Sequence, residues 1–316
     1  MREILETVEG WTREGLRVVA ATLVGTERSA PREPGAAMAI SERGDVAGSL
    51  TGGCVEPALY EEARAILAGG PPRLVSYGIA DEEAFEAGLP CGGTVHVFLN
   101  ELQPSVVEEL AGVVSADEPV ALAQTLSGPQ IGAQELVPVD GRADTALEAD
   151  VFVLPLLPRP RMYVFGAGDH AAAVARAGSL LEYHVTVCDA RGRLLTRERF
   201  PEPDELVVAW PHEFLETAAI DERSAICVLT HDHKFDVPLL QAALDTPAGY
   251  IGALGGKKTR EDREQRLRAE DVGDEELARI HAPIGLDIGA KTPEEVGVAV
   301  AAEIVALRRK AQNQNH

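Results

Sequence analysis

The chain has 316 residues, 45% of them hydrophobic and 25% charged, the balance of a folded globular protein with room for two domains. Its 29 Lys and Arg against 51 Asp and Glu give a formal net charge of −22, which works against non-specific binding to nucleic acid. No apolar run approaches the roughly 20 residues of a membrane-spanning helix, and the acidic start Met1-Arg2-Glu3-Ile4-Leu5-Glu6 lacks the features of a secretion signal, so the expected location is the cytoplasm.

Residues 1–114 read as one α/β unit. The pattern predicts a helix over Arg2–Arg13 and an apolar strand over Leu16–Val24. Ser29-Ala30-Pro31-Arg32-Glu33-Pro34-Gly35 is a loop punctuated by two prolines and a glycine. A strand over Ala36–Ile40 then meets a hairpin turn at Glu42–Asp45.

The next stretch, Gly48-Ser49-Leu50-Thr51-Gly52-Gly53-Cys54-Val55-Glu56, places a cysteine after two glycines and before a helical run ending at Leu67. A thiol near a helix N-terminus feels the positive end of the macrodipole, which favours thiolate. Gly52 and Gly53 permit backbone conformations and ligand approach that a β-carbon would block. A strand over Arg73–Tyr77 and an acidic loop at Asp81–Glu86 follow, then a second glycine-paired cysteine, Cys91-Gly92-Gly93-Thr94, leading into the strand Val95–Leu99. Four cysteines in a chain of this kind read as free thiols, and Cys54 and Cys91 are the candidate reactive pair. Cys188 and Cys227 fall on strands and read as buried and inert.

Residues 115–158 form a connecting, β-containing segment with strands over Val120–Leu126 and Val151–Leu156, closed by Pro155, Pro158 and Pro160. From residue 159 to 316, strand and helix alternate, the pattern of right-handed crossovers on a doubly wound, Rossmann-like parallel sheet. Met162–Phe165 followed by Gly166-Ala167-Gly168-Asp169-His170-Ala171 fits a dinucleotide-binding turn. Gly166 allows the tight turn, Gly168 lets backbone approach a phosphate, and Asp189, 23 residues after Gly166, stands where an acid holds a ribose hydroxyl. The expected ligand there is NAD(P) or another nucleotide, although Asp169 at the helix start disfavours a pyrophosphate. His231, in Thr230-His231-Asp232-His233, follows a strand and would face the same crevice, as a ligand contact, a helix cap or a metal ligand. Thr292 and Pro293 mark the start of a last helix.

These segments together resemble the XdhC/CoxI family, accessory proteins of molybdenum hydroxylases. The resemblance rests on Ser29–Arg32, Gly48–Glu56, Cys91–Thr94, Pro158–Gly168, Thr230–Asp232 and His281-Ala282-Pro283-Ile284-Gly285-Leu286-Asp287-Ile288-Gly289, which cover both halves in order. It implies an XdhC-type α/β domain followed by a Rossmann-like domain. It further implies a chaperone that binds molybdenum cofactor (molybdopterin) and assists its sulfuration and insertion into a xanthine dehydrogenase-like apoenzyme, working as a homodimer. In such a protein Cys54 would contact molybdenum or relay sulfur from a cysteine desulfurase, and Cys91 would be a second ligand or a resolving thiol. Gly52, Gly53, Gly92 and Gly93 would permit close approach, and Arg32 would clamp phosphate with its planar fork. Two alternatives stay open from the residues alone: an NAD(P)-dependent oxidoreductase using the Rossmann half, and a thiol-based sulfurtransferase.

Overall fold

The computed structural model describes residues 1–28, 30–78, 93–142, 144–230 and 233–314. They divide into two compact units, Met1–Pro158 and Arg159–His316.

The first unit runs α1 (Arg2–Arg13), β1 (Val18–Glu27), β2 (Ala37–Ser41), β3 (Val46–Gly48), α2 (Glu56–Leu67), β4 (Arg73–Tyr77), β5 (Thr94–Glu101), α3 (Pro104–Ser115), β6 (Val120–Thr125), β7 (Gln134–Val137), β8 (Ala146–Glu148) and β9 (Val151–Leu156). Among the described residues, these strands form a five-stranded sheet in the order β3-β2-β1-β5-β4 and a four-stranded sheet in the order β7-β6-β9-β8. Every pairing in both is antiparallel.

The apolar run of β1 is explained by burial on both faces. Val18 and Ala20 face a core shared with α1, α3, β6 and β9, to which Ile4, Val8, Leu110, Leu122 and Phe152 contribute. Val19, Ala21 and Leu23 face the opposite core, with Leu59, Ala63 and Ile66 of α2. Period-two alternation thus sends neighbouring residues to different layers. Each fully buried Val or Leu side chain contributes about 1.5–3 kcal/mol.

The second unit runs β10 (Arg161–Phe165), α4 (Asp169–Leu180), β11 (His184–Cys188), β12 (Glu205–Val207), α5 (Pro211–Leu215), β13 (Ala225–Val228), α6 (His233–Leu244), β14 (Tyr250–Ala253), α7 (Lys257–Ala269), α8 (Asp274–Leu277), β15 (Ile280–His281) and α9 (Pro293–Gln314). Among the described residues its sheet has six strands in the order β12-β11-β10-β13-β14-β15, all pairs parallel. The chain leaves β10 in both directions, so the switch point for ligands lies between β10 and β13.

Again both faces are covered. Met162, Val164 and Cys227 pack on the side of α4 and α9, and Tyr163, Phe165 and Cys188 on the side of α6. The start of α9 is a capping box: the Glu295 carboxylate accepts the backbone N–H of Thr292 at 3.0 Å, and the Thr292 hydroxyl accepts that of Glu295 at 3.3 Å. No helix among the described residues is long and apolar enough to cross a membrane.

Candidate functional site

Strand register gathers the first unit's candidate residues at one end of the five-stranded sheet. Glu27 at the end of β1 pairs with Thr94 at the start of β5, and Tyr77 at the end of β4 pairs with Val95. Gly48 at the end of β3 pairs with Met38, next to the start of β2. The loop carrying Arg32, the loop carrying Cys54, and Gly93 therefore all lie at the same end of the sheet. Gly93 is buried just before β5. Cys91 and Gly92 lie outside the described residues.

The loop from Ser49 to Val55 is wound around one carboxylate. Glu56 Oε1 accepts the backbone N–H groups of Leu50, Thr51 and Gly52 at 3.0, 2.8 and 3.1 Å, and the Ser49 hydroxyl at 2.7 Å. Oε2 accepts the N–H groups of Gly53 and Val55 at 2.9 and 3.2 Å, and the Thr51 hydroxyl at 2.6 Å. Burial works to raise the pKa of Glu56, but the Thr51 and Ser49 hydroxyls and the backbone amides outweigh it. They hold the carboxyl well below the usual carboxylate range.

This arrangement alters the expectation for the helix N-terminus. The positive end of α2 meets a carboxylate from its own first residue. The same amides are therefore engaged internally. Gly52 and Gly53 sit at φ +80° and +119°, and a β-carbon on either would meet nothing within 4 Å. They are needed for the backbone path around Glu56, and they leave the outer face of the loop open.

Cys54 stands two residues before Glu56, half-buried, and packs against the α2-side core with Ala30 and Tyr77. Arg32 reaches the same loop. Its Nη1 donates to the Ser49 carbonyl at 3.0 Å, while Nη1 and Nη2 pair with the Glu3 carboxylate of α1. The guanidinium is thus positioned beside the Cys54 loop, partly exposed, with one carboxylate already bound. Cys188 and Cys227 are buried. Burial, then the neighbouring Asp189 charge, pushes the Cys188 thiol up to about 12, and burial, then Glu303, raises Cys227 further, so neither is a nucleophile at neutral pH.

In the second unit, the Gly166 turn is formed as its sequence implies. Gly166 has φ +127°, and a β-carbon there would lie 3.0 Å from the Leu229 carbonyl oxygen. Gly168 is the N-cap of α4 and has open space where a side chain would be. A cavity of about 510 Å³ opens here, lined by Gly168, Arg191, Arg199, Thr230, Lys234 and Phe235 among others.

Asp189 is not on the cavity wall. It is 3% exposed, and its carboxylate accepts the Arg191 backbone N–H, Nε and Nη2 at 2.8, 2.9 and 2.7 Å. Burial opposes its ionisation, but Arg191 and a backbone hydrogen bond from Ala167 outweigh it and lower its pKa. His231 lies outside the described residues.

Three features escape a reading of the sequence. The Glu56 hub was legible only as an acid in a helix's first turn. The pair Asp236–Arg263, at 3.0 Å and 1% and 2% exposed, joins α6 to α7, and Asp236 also accepts the Thr230 hydroxyl. Glu303 of α9 accepts the Tyr250 hydroxyl at 2.6 Å and the Gly285 N–H at 2.9 Å, and it contacts His281 Nδ1 at 3.1 Å. The Asp236–Arg263 and Tyr250–Glu303 pairs join residues far apart in the chain, which no local spacing announces.

Known proteins match both halves of the chain. The XdhC and CoxI family matches residues 11–78, and the XdhC Rossmann domain matches residues 162–304. The chain is 30% identical to the molybdenum cofactor insertion chaperone PaoD of Escherichia coli (strain K12), over 97% of this chain and 88% of that protein. It is 27% identical to a probable xanthine dehydrogenase subunit of Bacillus subtilis (strain 168), over 92% of this chain and 93% of that one. Its fold matches the crystal structure of a xanthine dehydrogenase from Bacillus halodurans with a TM-score of 0.81, at 26% identity, over 97% and 96% of the two chains.

Proposed function

The chain belongs to the XdhC and CoxI family, and from that premise we propose that it is a maturation chaperone. It holds molybdenum cofactor as cargo and hands it to an apoenzyme of the xanthine dehydrogenase type. The relatives' names support the cargo and the partner. The observation that carries the site is the convergence of half-buried Cys54, the open glycine face and Arg32 at one sheet end.

The cargo is a pterin phosphate whose dithiolene sulfurs carry the metal, and a soft protein sulfur suits molybdenum. Cys54 presents that sulfur from a loop whose shape is set by Glu56. Gly52 and Gly53 let the cargo approach the backbone from the open side. The loop amides are engaged by Glu56, so the phosphate falls to Arg32, whose fork would exchange the Glu3 carboxylate for phosphate oxygens.

The finer parts of the same reading are these. A cysteine desulfurase supplies sulfur to Cys54 or Cys91, Gly92 and Gly93 keep the second cysteine's loop open, and the working unit is a cytoplasmic homodimer. Replacing Cys54 with Ala tests the reading: molybdenum and pterin that co-purify with the chain should fall, and activation of a xanthine dehydrogenase-like apoenzyme should be lost. Unchanged cargo and unchanged activation would remove Cys54 from the mechanism.

A further inference from the structure

The cavity of the second unit is lined by residues of that unit, and its chemistry differs from that of a ribose-reading dinucleotide crevice. In the fingerprint, the acid at the end of the second strand accepts hydrogen bonds from a ribose diol. Here that acid, Asp189, is 3% exposed and absent from the cavity wall. Its oxygens receive three hydrogen bonds from Arg191 and one from the Ala167 amide. A ribose hydroxyl would have to displace those donors to reach it. The wall carries Arg191 instead, together with Arg199 and Lys234. These cations come from two separate segments, the loop after β11 and the start of α6.

Among the described residues, the carboxylate on that wall is Asp169, whose Oδ1 lies 3.4 Å from Arg199 Nη2. Arg191, Arg199 and Lys234 thus stand on the wall with the carboxylates of Asp169 and, behind Arg191, Asp189. An arginine at this place in the fold is where a ribose 2′-phosphate is accommodated.

We propose that this cavity binds a 2′-phosphorylated adenosine ligand of the NADP type, with Arg191 reading the 2′-phosphate where Asp189 would otherwise read a diol. Gly168, bare of side chain at the N-cap of α4, faces the remaining phosphates, with Arg199 beside the Asp169 carboxylate that would otherwise repel them. Phe235 lines the cavity and lies against Trp210 in a tilted contact with ring centroids 5.2 Å apart, so binding should alter tryptophan fluorescence.

The test is a titration of the full chain with NADPH, NADH, 2′,5′-ADP and 5′-ADP, followed by calorimetry and by Trp210 fluorescence. NADPH and 2′,5′-ADP should bind at least about tenfold tighter than their partners lacking the 2′-phosphate, the scale of one charge-assisted hydrogen bond. Arg191→Lys should erase most of that preference while retaining 5′-ADP binding. Arg199→Ala, which leaves the partners of Asp189 in place, should weaken all four probes. Equal affinity within each pair, or binding of none of the four, overturns the proposal on the unsubstituted chain alone. A preference that survives Arg191→Lys overturns the assignment to Arg191. Molybdenum and pterin content, measured on the same preparations, reports separately on the chaperone reading and should not change with Arg191→Lys.

Discussion

The Glu56 carboxylate accepts the backbone N–H of Gly53 at 2.9 Å, across a turn that brings the helix's first residue back onto the loop preceding it. With six further donors on the same two oxygens, the loop that carries Cys54 is shaped from inside by one side chain.

Removing that carboxylate should loosen the loop without touching the sheet. Glu56→Ala is expected to cost about 2–4 kcal/mol, because several amides lose a charged acceptor at once. Glu56→Gln should cost nearly as much, since one face of the amide presents N–H to N–H. Urea unfolding of the full chain measures the loss. Retention of co-purified pterin should fall in parallel if loop shape presents Cys54.

The same carboxylate predicts a pH dependence with a definite sign. Its pKa in the folded chain is depressed, so its contribution is fully present above the ordinary carboxylate value of about 4.3 and is lost as pH falls below it. Unfolding midpoints measured from pH 7 downward should drop more steeply for the unsubstituted chain than for Glu56→Gln. Parallel curves would show that Glu56 does not titrate with folding.

Gly53→Ala should destabilise although its β-carbon would meet open space. The backbone there sits at φ +119°, outside the left-handed region that L-residues tolerate, and the strain should cost about 1–3 kcal/mol. Gly52, at φ +80°, lies closer to that region, so Gly52→Asn should cost less than Gly53→Ala. Denaturant midpoints of the two variants decide the order.

Thiol reactivity should separate the cysteines by burial. Cys54 is accessible in part, whereas Cys188 and Cys227 are buried and their thiols shifted up. In a Cys91→Ser background, alkylation followed by peptide mapping should label Cys54 first, with Cys188 and Cys227 labelled only on unfolding. Early labelling of Cys188 would contradict the packing of β11.

Arg263→Ala should be among the costlier changes in the second unit. It leaves Asp236 buried without its cation, a loss on the order of 3–5 kcal/mol. Replacing both partners by apolar residues of similar size, Asp236→Leu with Arg263→Met, should recover most of it. Urea unfolding of the single and double variants tests the difference.

By itself the sequence determined the alternation of strand and helix after residue 159, the glycine turn at Gly166, the start of α9 at Thr292 and Pro293, and the burial of Cys188 and Cys227. Each is a local matter: hydrophobic period, a backbone angle, a cap or a strand position governs it within a few residues. It also marked Cys54 and Arg32 as unusual, through glycines and prolines that constrain the chain around them. Tertiary structure alone decided that these two loops lie at one end of the sheet, because that depends on which strand pairs with which and in what register. It alone decided that Glu56 takes up the amides of the Cys54 loop, and that Asp189 turns inward while Arg191 lines the cavity. The physical reason is shared. A carboxylate's role is set by the donors that surround it after folding, and spacing along the chain does not say whether those donors belong to the protein or to a ligand.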